Sequence, residues 1–118
     1  MSLDPAQLVL TLLNARTAGH IAHLQTKSYA AHMALGDFYS GIGDIADRFA
    51  ECWMGCYGKG LVFAGGGPLV LDPIKLIEGL TTELRDAHDA CDESHLQQIL
   101  DDGLELCCST LYKLTRLA

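Results

Sequence analysis

Twice in this chain an aspartate is followed directly by a proline, at Asp4-Pro5 and Asp72-Pro73, and each pair opens an apolar series with the helical period. A carboxylate at the N-cap accepts the first free backbone N–H groups of a helix. Proline at the first helical position has no N–H to lose and already holds the helical φ. After Asp4-Pro5 the apolar positions are Leu8, Leu12, Ala15, Gly19 and Ala22, with a second stripe at Val9, Leu13, His20 and Leu24. A helix with two apolar sides has two neighbours. After Asp72-Pro73 the series is Ile77, Leu80, Leu84, His88 and Cys91.

Two more helices follow from the same reasoning. Ser28 is a cap for a long series at Leu35, Phe38, Ile42, Ile45, Phe49, Cys52 and Cys56. Ser94 with Gln97 three residues on forms a capping box, followed by Leu96, Leu100, Leu104, Cys107, Leu111 and Leu114. The spacing therefore predicts helices over about 5–25, 29–58, 73–91 and 95–116. Composition agrees: Leu and Ala together number 33 against nine Val and Ile, a bias toward helix formers. The expected fold is all-α, a single four-helix-bundle domain spanning residues 1–118. Its connections are short except for Gly58 to Asp72, which carries five glycines. One long Gly-rich connection between the second and third helices suits the ferritin-like antiparallel arrangement. We expect that connection to lie buried on the bundle or at a subunit interface, with a short hairpin across Gly65-Gly66-Gly67-Pro68 as the lesser alternative.

Charge limits the partners. The net charge is −7 and the eight Lys and Arg are scattered singly, leaving no basic stripe for phosphates, so nucleic-acid binding is not expected. No apolar stretch approaches the roughly 20 residues of a membrane span. The N-terminus has no basic segment leading into an apolar one, and the five cysteines form an odd set. We read the cysteines as reduced, buried apolar residues of a cytoplasmic protein. No phosphate-loop or nucleophile motif is present, and no Lys or His within a helical turn activates Cys52 or Cys56.

What remains is a set of imidazoles and carboxylates. His20, His23 and His32 fall at the junction of the first two helices, and Asp37, Asp44, Asp47 and Glu51 follow along the second. His32, Gly36, Ser40, Gly43, Asp47 and Glu51 share one flank of that helix. In an antiparallel pair of copies, positions with a constant sum meet, and 32 + 51 equals 36 + 47. His32 of one copy would then approach Asp47 and Glu51 of the other, with the crossing between residues 41 and 42 surrounded by small residues. His20 closes the site from the side of the first helix, and a symmetric dimer has two such sites. Imidazole and carboxylate suit iron, with zinc or manganese as alternatives. We expect solvated charges at Asp37 and Asp44, a neutral core histidine at His88, and His23 at the dimer interface.

The pattern His20-x11-His32-x14-Asp47-x3-Glu51 resembles the ferroxidase signature of the Dps-type mini-ferritins. The surrounding segments Tyr29 to Tyr39 and Asp44 to Glu51 resemble the second helix of that family. The resemblance implies an iron site between two subunits of a two-fold dimer, with His20 and His32 from one and Asp47 and Glu51 from the other, possible assembly into a higher homo-oligomer, and ferroxidase activity. Where that family has an acid one turn after the second histidine, this chain has Gly36, which implies an open coordination position. The alternative is a dimeric helical bundle without metal, whose second apolar stripe and Gly-rich connection serve assembly alone.

Overall fold

A computed structural model describes residues 3–118. Four α-helices, and no strand among the described residues, make up the fold: α1 (Pro5–Gln25), α2 (Tyr29–Tyr57), α3 (Pro73–Ala90) and α4 (Ser94–Arg116). Both Asp-Pro pairs work as anticipated. Asp4 Oδ1 accepts from the Gln7 N–H at 3.1 Å, and Asp72 Oδ1 accepts from Ile74 and Lys75 at 3.1 and 3.2 Å. Ser28 Oγ accepts from Ala31 at 3.2 Å. At α4 the expected capping box is absent. Glu93 is the N-cap, makes no side-chain cap bond, and Ser94 is already helical. Gln97 Nε2 instead donates to the Cys91 carbonyl at 2.8 Å, because the tight α3–α4 turn leaves that acceptor closer than the helix start.

Neighbouring helices in the bundle are α1–α2, α2–α4, α4–α3 and α3–α1. Gly19 faces Phe38 and Gly43 faces Arg16, so α1 and α2 run antiparallel. Arg48 meets Asp102 and Gly41 meets Leu106, so α2 and α4 do likewise. The short turn at 91–93 makes α3 and α4 an antiparallel hairpin as well. Hence α2 and α3 are parallel and diagonal, and the chain between them must travel the length of the bundle. Eighteen residues of α3 rise about 27 Å, which the 15 residues 58–72 span easily at about 3.3 Å each.

The core is built largely from the main stripe of each helix, whereas of the second stripe expected on α1 only Val9 is buried, with Leu13 half-buried and His20 and Leu24 exposed. Phe38, Phe49, Leu12, Leu35, Ile42, Ile77, Leu84, Leu96, Leu100 and Cys107 are fully enclosed. Burial pushes the Cys107 thiol up to about 11, with the Thr81 hydroxyl pulling the other way. Only two of the five cysteines, Cys91 and Cys107, are buried; Cys52 is half-buried, and Cys56 and Cys108 are exposed. The helical period placed Cys56 on the core stripe, but it lies in the last turn of α2, beyond most of the covering side chains. His88 is corrected too. It sits at the rim of α3, its Nε2 3.2 Å from Asp101 of α4, while Leu84, Ala87 and Cys91 take the core positions.

The crossover is for the most part not buried on its own bundle. Leu61 packs against the core, whereas Val62, Phe63, Leu69, Val70 and Leu71 are exposed. Gly67 to Val70 form one wall of a groove of about 240 Å³ with Gln7, Thr11 and Asn14 of α1 and Lys75, Leu76 and Gly79 of α3. No hairpin forms across the glycines.

Candidate functional site

Two clusters of chemically active side chains lie at opposite ends of α2. The first surrounds the α1–α2 turn. The rings of His23 and His32 stack with centroids 3.8 Å apart. Each Nδ1 contacts the other residue's carbonyl oxygen, at 2.6 Å for His23 to His32 O and 2.8 Å for His32 to His23 O. A carbonyl only accepts, so Nδ1 of each ring carries the hydrogen, and the Nε2 lone pair of the neutral ring stays available. Neither Nε2 has a hydrogen-bond partner among the described residues. His20 stacks on Tyr39 at 4.1 Å and 7°, and both rings neighbour His23.

Gly36 has a definite role here. A Cβ at this position would sit 3.2 Å from His23 Cε1 and 3.3 Å from its Nδ1, so the missing side chain is the space the His23 ring occupies. Within one chain His23 is therefore held between α1 and α2. Two other glycines of α2 are similarly filled from within the chain. Gly43 accommodates Arg16, and a Cβ at Gly41 would come within 2.6 Å of Leu106. Within one chain, then, Gly36 and Gly43 admit side chains of α1 and Gly41 one of α4, while Ser40 is exposed.

Asp47 and Glu51 are exposed on α2, as are Asp37 and Asp44, and neither Asp47 nor Glu51 makes an ion pair among the described residues. At 1.5 Å per residue they stand about 22 and 28 Å along the helix from His32. One chain does not bring the histidines and these acids together. The exposed side chains of Leu24, Tyr29 and Met33 lie at the histidine end of the α1–α2 hairpin.

The second cluster was missed by the sequence reading. Cys56 of the last turn of α2, Glu93 at the N-cap of α4 and His95 in its first turn place one ligand atom each within 4.8 Å of one another, the one such group of three found among the described residues. Desolvation, the Glu93 carboxylate and Cys52 all push the Cys56 thiol up. Tyr57 next to it is pushed up by desolvation and by Glu93, Cys56, Asp92 and Cys91. The local sequence around Cys56 holds no sign of these neighbours; the signal is the antiparallel register of α2 on α4, which pairs 48 with 102 and carries 56 toward 93–95.

Such a bundle, with its polar clusters at the ends of one helix and its apolar side chains within, is a four-helix protein with two candidate ligand sites. The chain belongs to the family described as a family of unknown function, DUF5856, which matches residues 23–114. That span includes both clusters except His20. The chain is also similar to an uncharacterized 14.6 kDa protein in the mobD–ri intergenic region of Enterobacteria phage T4. The two are 29% identical over 93 residues, covering 77% of this chain and 72% of the relative. No solved structure matches. No helix among the described residues is long and apolar enough to cross a membrane.

Proposed function

We propose that this protein is a self-associating, metal-binding member of its family, in which His20 and His32 of one copy and Asp47 and Glu51 of a second hold a divalent metal ion. The observation that carries this reading is the bond from His32 Nδ1 to the His23 carbonyl at 2.8 Å. Histidine ligands characteristically donate their second N–H to a carbonyl or carboxylate, which fixes ring and tautomer and aims Nε2 at the metal. The order of the helices, with parallel α2 and α3 joined by a crossover along the bundle, supports a ferritin-like arrangement. Leu24, Tyr29 and Met33, exposed beside the histidines, supply apolar surface for the second copy. In the antiparallel pairing, Met33 falls opposite Ala50 and Tyr29 opposite Met54.

Iron is the metal we favour, held by two imidazoles and two carboxylates, with His23 rather than an open position filling the space beside Gly36. Fe²⁺ bound there is substrate: each ion gives up one electron to O₂ or peroxide, and Zn²⁺ occupies the same ligands without redox chemistry. The same apolar patch favours a second reading, a metal-free dimer built for assembly.

Sedimentation and Fe²⁺ or Zn²⁺ titration separate the two, carried out in a Cys56→Ser/His95→Ala background so that the second cluster adds no ligands. That background is expected to bind metal as a dimer, and both His32→Ala and Glu51→Ala within it to lose the binding while Asp37→Ala retains it. Binding by a monomer, or binding undiminished in His20→Ala/His32→Ala, overturns the intersubunit site. A dimer that binds neither metal leaves the assembly reading.

A further inference from the structure

We infer that Cys56, Glu93 and His95 form a second, independent metal site, which takes a thiophilic divalent cation of the zinc class with water in the fourth position. The ligands come from two elements that meet only in the folded bundle, the last turn of α2 and the first turn of α4. Their ligand atoms already lie within 4.8 Å of one another. Zinc bonded at 2.0–2.3 Å in a tetrahedron sets its ligand atoms about 3.3–3.8 Å apart, a closure of roughly 1 Å. Cys56 and His95 are exposed and Glu93 is half-buried, so ordinary side-chain rotation provides it.

The Glu93 carboxylate gives a separate indication. Position 93 is an N-cap, where aspartate, asparagine, serine or threonine ordinarily bond the helix start, yet Glu93 makes no such bond. Its longer side chain is left for the neighbouring thiol and imidazole. None of the three side chains donates to or accepts from another group among the described residues, and they do not bond one another. One thiolate, one carboxylate and one neutral imidazole carry two negative charges, which a divalent cation neutralises, and Asp92 adds to the acidic surroundings. Three protein ligands of mixed S, O and N type leave zinc one open position.

Bound metal would tie the end of α2 to the start of α4 and fix the point where the crossover leaves the bundle. Cobalt titration of the full-length, reduced protein tests the site, because a Co²⁺–thiolate bond gives a near-ultraviolet charge-transfer band that histidine and carboxylate ligands do not. Wild type is expected to show the band, Cys56→Ser and His95→Ala to lose it, and Cys108→Ser and His20→Ala/His32→Ala to keep it. Zn²⁺ is expected to slow alkylation of Cys56, followed by peptide mass, about tenfold while Cys108 reacts as before. Absence of the band in wild type, or its survival in Cys56→Ser, overturns the site. Loss of the band in His20→Ala/His32→Ala overturns its independence from the histidine cluster.

Discussion

The two ends of α2 handle polar side chains in opposite ways. At the start of the helix, His23 and His32 are stacked, half-buried and bonded to each other's backbone, with a glycine opposite to admit the ring. At its end, Cys56 meets Glu93 and His95 with no bond between them, and Gly55 beside it faces open space. One end is ordered by the chain itself; the other is left for solvent or a ligand to order. Similar residue types thus serve structure where their N–H groups are satisfied and remain available where they are not. A metal ion at the first end would inherit a prepared geometry, whereas at the second it would have to create one.

Filling Gly36 breaks the comparison most strongly. Gly36→Leu drives a side chain into the His23 ring and disrupts both imidazole–carbonyl bonds. Overpacking and lost hydrogen bonds together should cost on the order of 3 kcal/mol, read from the midpoint of urea unfolding. A change below experimental error there would mean that the stacked histidines are not packed as described.

The buried thiol of Cys107 gives a slightly smaller effect that sharpens the contrast with exposed Cys56. Its value rises from 9.0 to about 11 on folding, so between those limits the unfolded chain has lost a proton that the native chain retains. Stability from this group is complete below pH 9 and falls as pH rises through 11, by about 2–3 kcal/mol. Denaturation of wild type and Cys107→Ala across that range should show a decline in the former that is shallower in the latter. Parallel pH profiles would contradict the enclosure of this side chain.

The smallest effect has the opposite sign. Gly55→Ala meets no atom within 4 Å, and alanine is the better helix former, so a gain of up to about 1 kcal/mol is expected. Destabilisation in the same unfolding measurement would show that the end of α2 is more crowded than its surroundings indicate.

These contrasts also mark what the amino-acid order makes legible. Asp4-Pro5, Asp72-Pro73 and Ser28 announce helix starts because capping is local chemistry. Leu12, Phe38, Ile77 and Leu100 announce the core because a helical stripe must be covered. Which helix covers it is another matter. Gly36, Gly41 and Gly43 advertise a close approach without naming the neighbour, which within the chain is α1 for two of them and α4 for the third. Tyr39 joined the histidines, and Glu93 with His95 joined Cys56, through interhelical register, which no single periodicity encodes. His88 shows the limit from the other side: its place on the stripe of α3 suggested a core histidine, but its imidazole reaches the rim and Asp101.

The crossover between α2 and α3 has a consequence for how the chain reaches this state. Each half of the protein is a hairpin of two helices closed by a turn of three residues, at 26–28 and at 91–93, so its internal pairing is local and forms early. The seams between the halves, α1 on α3 and α2 on α4, close only when residues 58–72 bring the second hairpin alongside the first. Closing a flexible segment costs only about 0.6 kcal/mol more for each doubling of its length. The two turns therefore fix the local pairings, while the strap between them can lengthen at small cost as long as it still spans the bundle.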